Sequence, residues 1–299
     1  MSTLHTPDLG EPGAVRILVS HYEAGQLALC KSLDPRVFTP WNVEFNRSSR
    51  LLEFDLFREM VREWPQHVSH LGLFSWKFLR KSGLDQDLIL HQIHEGVEQA
   101  DEAIILNPAI SSNAVFKNVF EQGQVSGHAS MAEIASRMGL QAYAAELLPH
   151  DTFAMCSYVV GTRRFWREYM GFLQACLNEA TSRAFHDRQF ASMYHGSAGY
   201  FRNPYLDYRP FFVERLLQVF LSRTHLQYRY IEPDARAFQQ KFLHHSDQVQ
   251  DLYRLKQSAK VDSAARSRWF ETRQALMARP GWLTTVLAAD DPEIPRHLN

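Results

Sequence analysis

Glu214 is the residue whose type and position point most directly to chemistry. It lies beside Arg215 in an otherwise apolar stretch introduced by Arg209, and apolar residues recur at helical spacing over 211–220. A carboxylate near the beginning of a core-facing helix costs free energy unless it is paired or used. Glu214 is therefore a candidate catalytic residue. An ion pair with Arg209 or Arg215 is the alternative interpretation.

The elements that must position such a residue alternate between strands and helices. Apolar runs predict strands over 14–20, 70–76, 102–106 and 153–160. Amphipathic or capped segments predict helices over 50–64, 85–99, 113–123, 130–138 and 162–180. Residues 183–208 are rich in Tyr, His, Gly, Asn and Pro, which is typical of a long functional loop. Strands separated by helices predict an α/β sheet in which helices dominate.

The two ends of the chain differ from this pattern. Residues 1–13 predict a disordered tail, and no strand is expected after about Asp234. We therefore expect one α/β domain over 14–233 and a helical C-terminal extension over 234–299. Between Asp251 and Arg279 there are seven basic and three acidic residues. The extension is interpreted either as helices that pack on the core or as a basic amphipathic surface for a membrane or partner, with Trp269, Phe270 and Trp282 on it.

The composition limits the class of protein. The 299 residues are 45% hydrophobic and 12% aromatic with a net charge of −1, which predicts a globular chain and no nucleic-acid partner. Three cysteines without paired spacing favour a reducing compartment. The N-terminal residues lack signal-peptide features, and no apolar run is long enough to span a bilayer. We expect a cytoplasmic protein, with a peripheral position at the inner membrane as the alternative.

The familiar motifs of nucleotide, hydrolase and metal sites are absent. The sequence contains no Gly-x-Gly-x-x-Gly, P-loop, Gly-x-Ser-x-Gly, His-Glu-x-x-His or Cys-x-x-Cys, and no clear Asp-x-Asp follows a predicted strand. His91 and His94 share a helical spacing, as do His67 and His70, but neither pair has an adjacent acidic or cysteine ligand. The cofactor is therefore unknown, and a divalent metal is not expected.

Four segments together resemble a known family. They are Gly-Leu-Phe-Ser-Trp-Lys at 72–77, Ala-Ile-Ile-Leu-Asn-Pro at 103–108, Val-Val-Gly-Thr-Arg-Arg-Phe-Trp-Arg-Glu-Tyr at 159–169, and Arg-Pro-Phe-Phe-Val-Glu-Arg-Leu at 209–216. Their order resembles bacterial enzymes of capsule and lipopolysaccharide synthesis that share the GT-A glycosyltransferase fold. The resemblance covers roughly residues 14–233. Ser75 stands where the family has His, and Phe78 where it has a second Arg.

The resemblance implies a GT-A-like, Rossmann-like mixed sheet and transfer of a sugar from a nucleotide-sugar donor to a glycan or lipid-linked acceptor. Such a transfer needs a cradle for the base, cations against the diphosphate, and a base for the acceptor hydroxyl. Glu214 would remove the acceptor proton. Residues are assigned to the two substrates as follows: Ser20, His21, Arg47, Lys77 and Arg209 for the donor, and Trp76, Glu121 and His128 for the acceptor.

Each of these assignments has a structural alternative. Lys77 can be a solvated surface lysine, and Trp76 can be a core residue. Glu121 and His128 flank a glycine that equally predicts a helix end, and Arg47 lies in a segment that predicts a helix cap. At the level of function, the alternatives are a non-catalytic nucleotide- or sugar-binding relative and a helical scaffold that recruits a partner or membrane.

Overall fold

A mixed α/β fold with a six-stranded sheet is the architecture of the computed structural model. The model describes residues 14–46, 49–199 and 206–290, so the predicted tail lies outside the described residues. The strands are β1 (Ala14–His21), β2 (Phe38–Asn42), β3 (Val68–Ser75), β4 (Ala103–Leu106), β5 (Tyr158–Thr162) and β6 (Tyr228–Tyr230). Helices flank the sheet, as the alternation of apolar runs and amphipathic segments predicts.

The sheet has a parallel half and a mixed half. Its order is β2-β1-β3-β5-β4-β6. Strand β1 pairs in parallel with both β2 and β3, whereas β5 runs antiparallel to its neighbours β3 and β4. At the other edge β6 is parallel to β4. Ser20 is in register with Ser75, so the carboxyl ends of β1 and β3 lie side by side.

Fifteen α-helices connect and cover these strands within the described ranges. The first eight are α1 (Ala24–Lys31), α2 (Glu53–Arg62), α3 (Phe78–Ser82), α4 (Gln86–Glu98), α5 (Ile110–Val115), α6 (Val119–Val125), α7 (Met131–Arg137) and α8 (Gln141–Ala145). The others are α9 (Arg163–His186), α10 (Arg188–Tyr194), α11 (Arg209–Leu221), α12 (Ala235–Phe242), α13 (Ser246–Ser258), α14 (Ser263–Met277) and α15 (Trp282–Asp290). None of these helices is long and apolar enough to cross a bilayer.

Three predicted elements are wrong in their extent. The strand expected over 153–160 begins only at Tyr158, because Cys156 and Ser157 have positive φ angles that interrupt extended pairing. The helix expected over 113–123 is two helices, since Asn118 is extended and its side chain caps α6. The loop expected over 183–208 is mostly helical as far as residue 194, because α9 continues to His186 and α10 follows over Arg188–Tyr194. Residues 200–205 of that stretch lie outside the described part.

An aromatic layer joins α2, α9 and α11. Trp166 and Tyr169 of α9 are fully buried, and their rings contact Phe57 of α2 and Phe220 of α11. Trp166 also donates a hydrogen bond from Nε1 to the carbonyl oxygen of Leu71 in β3 at 2.7 Å. This bond satisfies the polar atom of a large buried ring and fixes α9 on the sheet. The layer sets the position of α2 and α11, the two helices that carry the carboxylates described below.

The C-terminal helices donate hydrogen bonds to the backbone carbonyl groups at the end of α5. Helix α5 ends at Val115, and its last carbonyl groups have no partner within the helix. Lys256 of α13 donates to the carbonyl oxygens of Asn113 and Phe116 at 2.7 and 2.6 Å. Trp269 and Arg273 of α14 donate to those of Ala114 and Val115 at 2.9 and 2.6 Å. The C-terminal extension therefore provides hydrogen-bond donors for the last carbonyl groups of a buried helix.

Candidate functional site

A cavity of about 510 Å³ lies at the carboxyl ends of β1 and β3. Ser20 and Ser75 come from those strand ends, and Tyr158 comes from the beginning of the antiparallel strand β5. The backbone N–H of Trp76 donates to the carbonyl oxygen of Ser20 at 3.0 Å, which closes the gap between the two strand ends. Ligands of open α/β sheets bind at this edge. We call this space the sheet-edge cavity.

Two carboxylates face the sheet-edge cavity from different helices. Glu53 is the first residue of α2, and Glu214 lies in the second turn of α11. Glu214 is held on both oxygens, because Oε1 accepts the backbone N–H of Cys156 at 2.9 Å and Oε2 lies 3.4 Å from Nη1 of Arg215. The paired and the functional interpretations of Glu214 are thus both compatible with its position.

Arg215 is a buried cation that anchors this part of α11. Its side chain is 2% exposed, and its guanidinium donates to the carbonyl oxygens of Val119 and Phe211 and to Oε1 of Gln122. Gly123 lies against the same guanidinium, and a Cβ placed there would come within 2.6 Å of Nε. Gln122 and Gly123 therefore serve Arg215. This contact accounts for the glycine without an acceptor-binding role.

The second carboxylate has an unusual proton affinity. Burial, followed by the negative charge of Glu214, raises the pKa of Glu53 to about 7, and Lys81 and Lys77 oppose this increase. Both effects disfavour the ionised form. Glu53 therefore gains or loses its proton near neutral pH, which is the range where a carboxyl group can act as an acid or a base.

Strained backbone flanks the two carboxylates. Leu52, which precedes Glu53, has a φ of 41°, and Cys156, whose N–H binds Glu214, has a φ of 65°. Ser157 follows with a φ of 48°. Positive φ is sterically unfavourable for residues with a Cβ, and such residues cluster at functional sites where the surrounding structure holds them. Here the strained residues are the ones that orient Glu53 and Glu214.

Two cations face the same space. Lys77 and Lys81 line the cavity, and their spacing of four residues places them on one side of the short helix α3. The Nζ atom of Lys81 lies 3.4 Å from Sγ of Cys156. Burial raises the pKa of Cys156 to about 11, so this cysteine is a neutral thiol and not an activated nucleophile. Primary amines with adjacent carboxylates suit a ligand that carries phosphate and hydroxyl groups.

Four predicted site residues meet in the cavity: Ser20, Trp76, Lys77 and Glu214. Ser20 is engaged by a hydrogen bond from Oγ to the carbonyl oxygen of Phe74 at 3.2 Å. Trp76 is half-buried, and the guanidinium of Arg80 lies 5.7 Å from its ring centre. Ser75, at the position where the resembling family has His, bonds through Oγ to the hydroxyl of Tyr158.

Of the residues predicted to bind the sugar donor, two lie outside the sheet-edge cavity, and a third is not among the described residues. His21 is buried and does not line the cavity, because successive side chains of β1 point to opposite faces and Ser20 faces the cavity. Burial lowers the pKa of His21. Arg209 pairs with Asp207, with Nη2 and Oδ2 at 2.6 Å. Arg47 lies outside the described residues.

Glu121 and His128, predicted to bind the acceptor substrate together with Trp76, also lie outside the cavity. Glu121 accepts hydrogen bonds from Arg273 at 2.8 Å and from the backbone N–H of Lys117 at 2.7 Å. The ring of His128 packs 4.2 Å from the ring of Phe211, which is itself a wall residue. Glu121 therefore belongs to the contact between α6 and α14. His128 packs against a residue of the cavity wall without lining the cavity itself.

Sequence reasoning missed Glu53, Lys81, Cys156 and Tyr158. A signal existed for Lys81, because it follows Lys77 by one helical turn. Glu53 gave no signal, since it is one of several charged residues in an amphipathic helix. Among the described residues no group of three or more His, Cys, Asp or Glu side chains is arranged to hold a metal ion.

Comparison with known proteins adds no relative. The chain matches no protein-family model, no curated protein and no solved structure.

Proposed function

We propose that this chain transfers a sugar from a nucleotide-sugar donor to a hydroxyl group of a glycan or lipid-linked acceptor. One observation carries the proposal: the sheet-edge cavity combines Lys77 and Lys81 with the carboxylates of Glu53 and Glu214 at the carboxyl ends of parallel strands. Lysines can neutralise the charge that develops on a departing diphosphate, and a carboxylate can take the proton of an attacking hydroxyl. The resemblance to enzymes of bacterial capsule and lipopolysaccharide synthesis suggests the class of acceptor.

The arrangement also suggests how the two substrates share the space. The donor base or ribose would lie near Ser20 at the end of β1, where nucleotides bind in α/β folds. The diphosphate would face Lys77 and Lys81, and the acceptor sugar would stack on Trp76. The carboxylates of Glu53 and Glu214 would then lie near the acceptor hydroxyl.

A GT-A-like fold is part of the same proposal. Its support is the parallel half β2-β1-β3, which resembles a nucleotide-binding half-sheet, continued by a mixed half in which β5 is antiparallel. The motif segments of the resemblance fall on β3, β4, β5 with α9, and α11, and residues of β3, β5 and α11 line the cavity.

A screen with nucleotide sugars tests the function. The thermal unfolding of the intact protein is measured with UDP-, GDP-, CMP- or TDP-sugars. For a Kd in the micromolar range and a sugar concentration about 100 times higher, a specific donor should raise the Tm by about 5 °C. Release of the nucleoside diphosphate is then measured with and without acceptor. Binding without turnover would favour the non-catalytic relative. The absence of binding by every donor would contradict both and leave the scaffold interpretation.

A further inference from the structure

Glu53 and Glu214, the two carboxylates that helices place in the sheet-edge cavity, are held in different ways. Both oxygens of Glu214 are engaged, by the backbone N–H of Cys156 at 2.9 Å and by Arg215 at 3.4 Å. These contacts orient the carboxylate and occupy both of its oxygens. Glu214 is thus held in place by the protein itself.

Glu53 is surrounded differently. It begins α2, after the strained residue Leu52, and faces the cavity. Charged and titratable groups surround it: Glu214 of α11, Lys77 and Lys81 at α3, Tyr22 and Glu23 before α1, Cys156 before β5, Tyr158 of β5 and Tyr169 of α9. Burial and Glu214 raise the pKa of Glu53 to about 7. A carboxylate with this proton affinity is a much stronger base than an ordinary glutamate.

We propose that Glu53 is the general base of the transfer, and that Glu214 is a positioning residue in the same cavity. The inference rests on the proposed function. The acceptor oxygen attacks the anomeric carbon of the donor and forms the new C–O bond. The bond from that carbon to the phosphate oxygen breaks, and its electron pair leaves with the nucleoside diphosphate beside Lys77 and Lys81. The acceptor proton passes to the Glu53 carboxylate.

The pH dependence of kcat distinguishes Glu53 from Glu214. For the wild-type protein, activity should rise with pH along an acid limb centred near 7, because Glu53 must be ionised. Glu53→Gln should lose about 100-fold or more in kcat and lose that limb, with donor Kd unchanged. Glu214→Gln should lose about tenfold or less, and its acid limb should move to lower pH because one cause of the raised pKa is gone. Glu168→Gln on the exposed side of α9 is the matched control.

A measurement without turnover separates this inference from the proposed function. NMR titration of the protein labelled at the glutamate side-chain carboxyl carbons should show one resonance that titrates near pH 7. This resonance should be missing in Glu53→Gln and should titrate at lower pH in Glu214→Gln. Near wild-type turnover by Glu53→Gln, or an unchanged acid limb in Glu214→Gln, would overturn the assignment. A wild-type protein that shows the titration but turns over no nucleotide sugar would overturn the proposed function, and with it the base role.

Discussion

At the scale of single residues, the proton on Glu53 links the candidate site to stability. A carboxyl group whose pKa is higher in the folded than in the unfolded protein binds its proton more tightly in the folded state. Its contribution therefore favours folding at pH values below the raised pKa and becomes unfavourable as the pH rises from about 4.5 through about 7. The cavity keeps an unfavourable charge at neutral pH, as is common in functional sites.

We expect Glu53→Gln to stabilise the protein at alkaline pH. Gln mimics the protonated carboxyl group, so the Tm values of the variant and the wild type should be closer at pH 5 than at pH 8. At pH 8 the variant should gain up to about 3 kcal/mol in the free energy of unfolding, because it lacks the buried charge. Thermal unfolding of both proteins across this pH range checks the prediction. Equal Tm differences at pH 5 and pH 8 would mean that Glu53 is solvated in the folded protein.

The lysines of the cavity should control donor affinity. Lys77→Met or Lys81→Met removes a charge that would face the diphosphate, and hydrogen bonds to charged groups contribute roughly 1.5 to 3 kcal/mol. Each variant should weaken the Kd of the nucleotide sugar about 10- to 100-fold, and less at high salt because the attraction is screened. Calorimetry at two salt concentrations measures this. Lys31→Met, at an exposed position at the end of α1, serves as the matched control.

The same argument predicts activity without a divalent metal. If the two lysines neutralise the diphosphate, transfer should continue after treatment with EDTA. Loss of activity on chelation and its recovery with Mn²⁺ would instead mean that the donor brings a metal to the carboxylates.

At the scale of elements, the junction between α6 and α11 depends on a close approach. Gly123 leaves room for the guanidinium of Arg215, which in turn holds Glu214. Gly123→Ala should force these groups apart and destabilise the protein by about 1 to 3 kcal/mol. The displacement should also lower turnover through Glu214.

A second glycine provides the comparison for that variant. Gly171 lies on an exposed part of α9, and an added Cβ meets no atom within 4 Å. Gly171→Ala should therefore stabilise the helix by about 0.5 to 1 kcal/mol. Denaturant unfolding of both variants measures the contrast. If both alanines behaved alike, the packing of Arg215 on Gly123 would not be required.

At the scale of the whole molecule, the C-terminal helices are part of the folded core. Trp269 is 0% exposed and Trp282 is 4% exposed, whereas Phe270 is 38% exposed. Of the three aromatic residues expected on a membrane-binding surface, two are thus engaged in packing. Contact with a membrane stays a prediction, and it would depend on Phe270 and the basic side chains of this region.

We expect a chain that ends at Pro233 to fail to fold. It would lose the hydrogen bonds of Lys256, Trp269 and Arg273 to α5 and would expose the apolar surface that α13 and α14 cover. A milder variant keeps the chain intact: Trp269→Phe removes one donor and should cost about 1 to 3 kcal/mol. Phe270→Leu at the neighbouring exposed position should have little effect. Circular dichroism and denaturant unfolding check both, and a stable, structured 1–233 fragment would contradict the prediction.

Local patterns in the sequence determined much of the fold. The apolar runs that form β1, β3 and β4, the long helix α9 and the helical C-terminal region are predictable because strand and helix periodicity are written in neighbouring residues. Strands β2 and β6 are not predictable in this way. Strand β2 contains Pro40, and a proline is tolerated there because β2 is an edge strand. Strand β6 has only three residues, and their extended conformation depends on pairing with β4.

The candidate site was decided mainly by the tertiary structure. The sequence pointed to Glu214 by its position in an apolar helix, and to Ser20, Trp76 and Lys77 through the family resemblance, which assigns them to the substrates. The presence of Glu53, Glu214 and Lys81 in one cavity required the folding of α2 and α11 onto one edge of the sheet. Burial and the charge of a distant residue raise the pKa of Glu53, and neither has a local signature. The sequence therefore gives the type of each site residue, whereas the closeness of these residues to one another and the burial of Glu53 arise only when the chain folds.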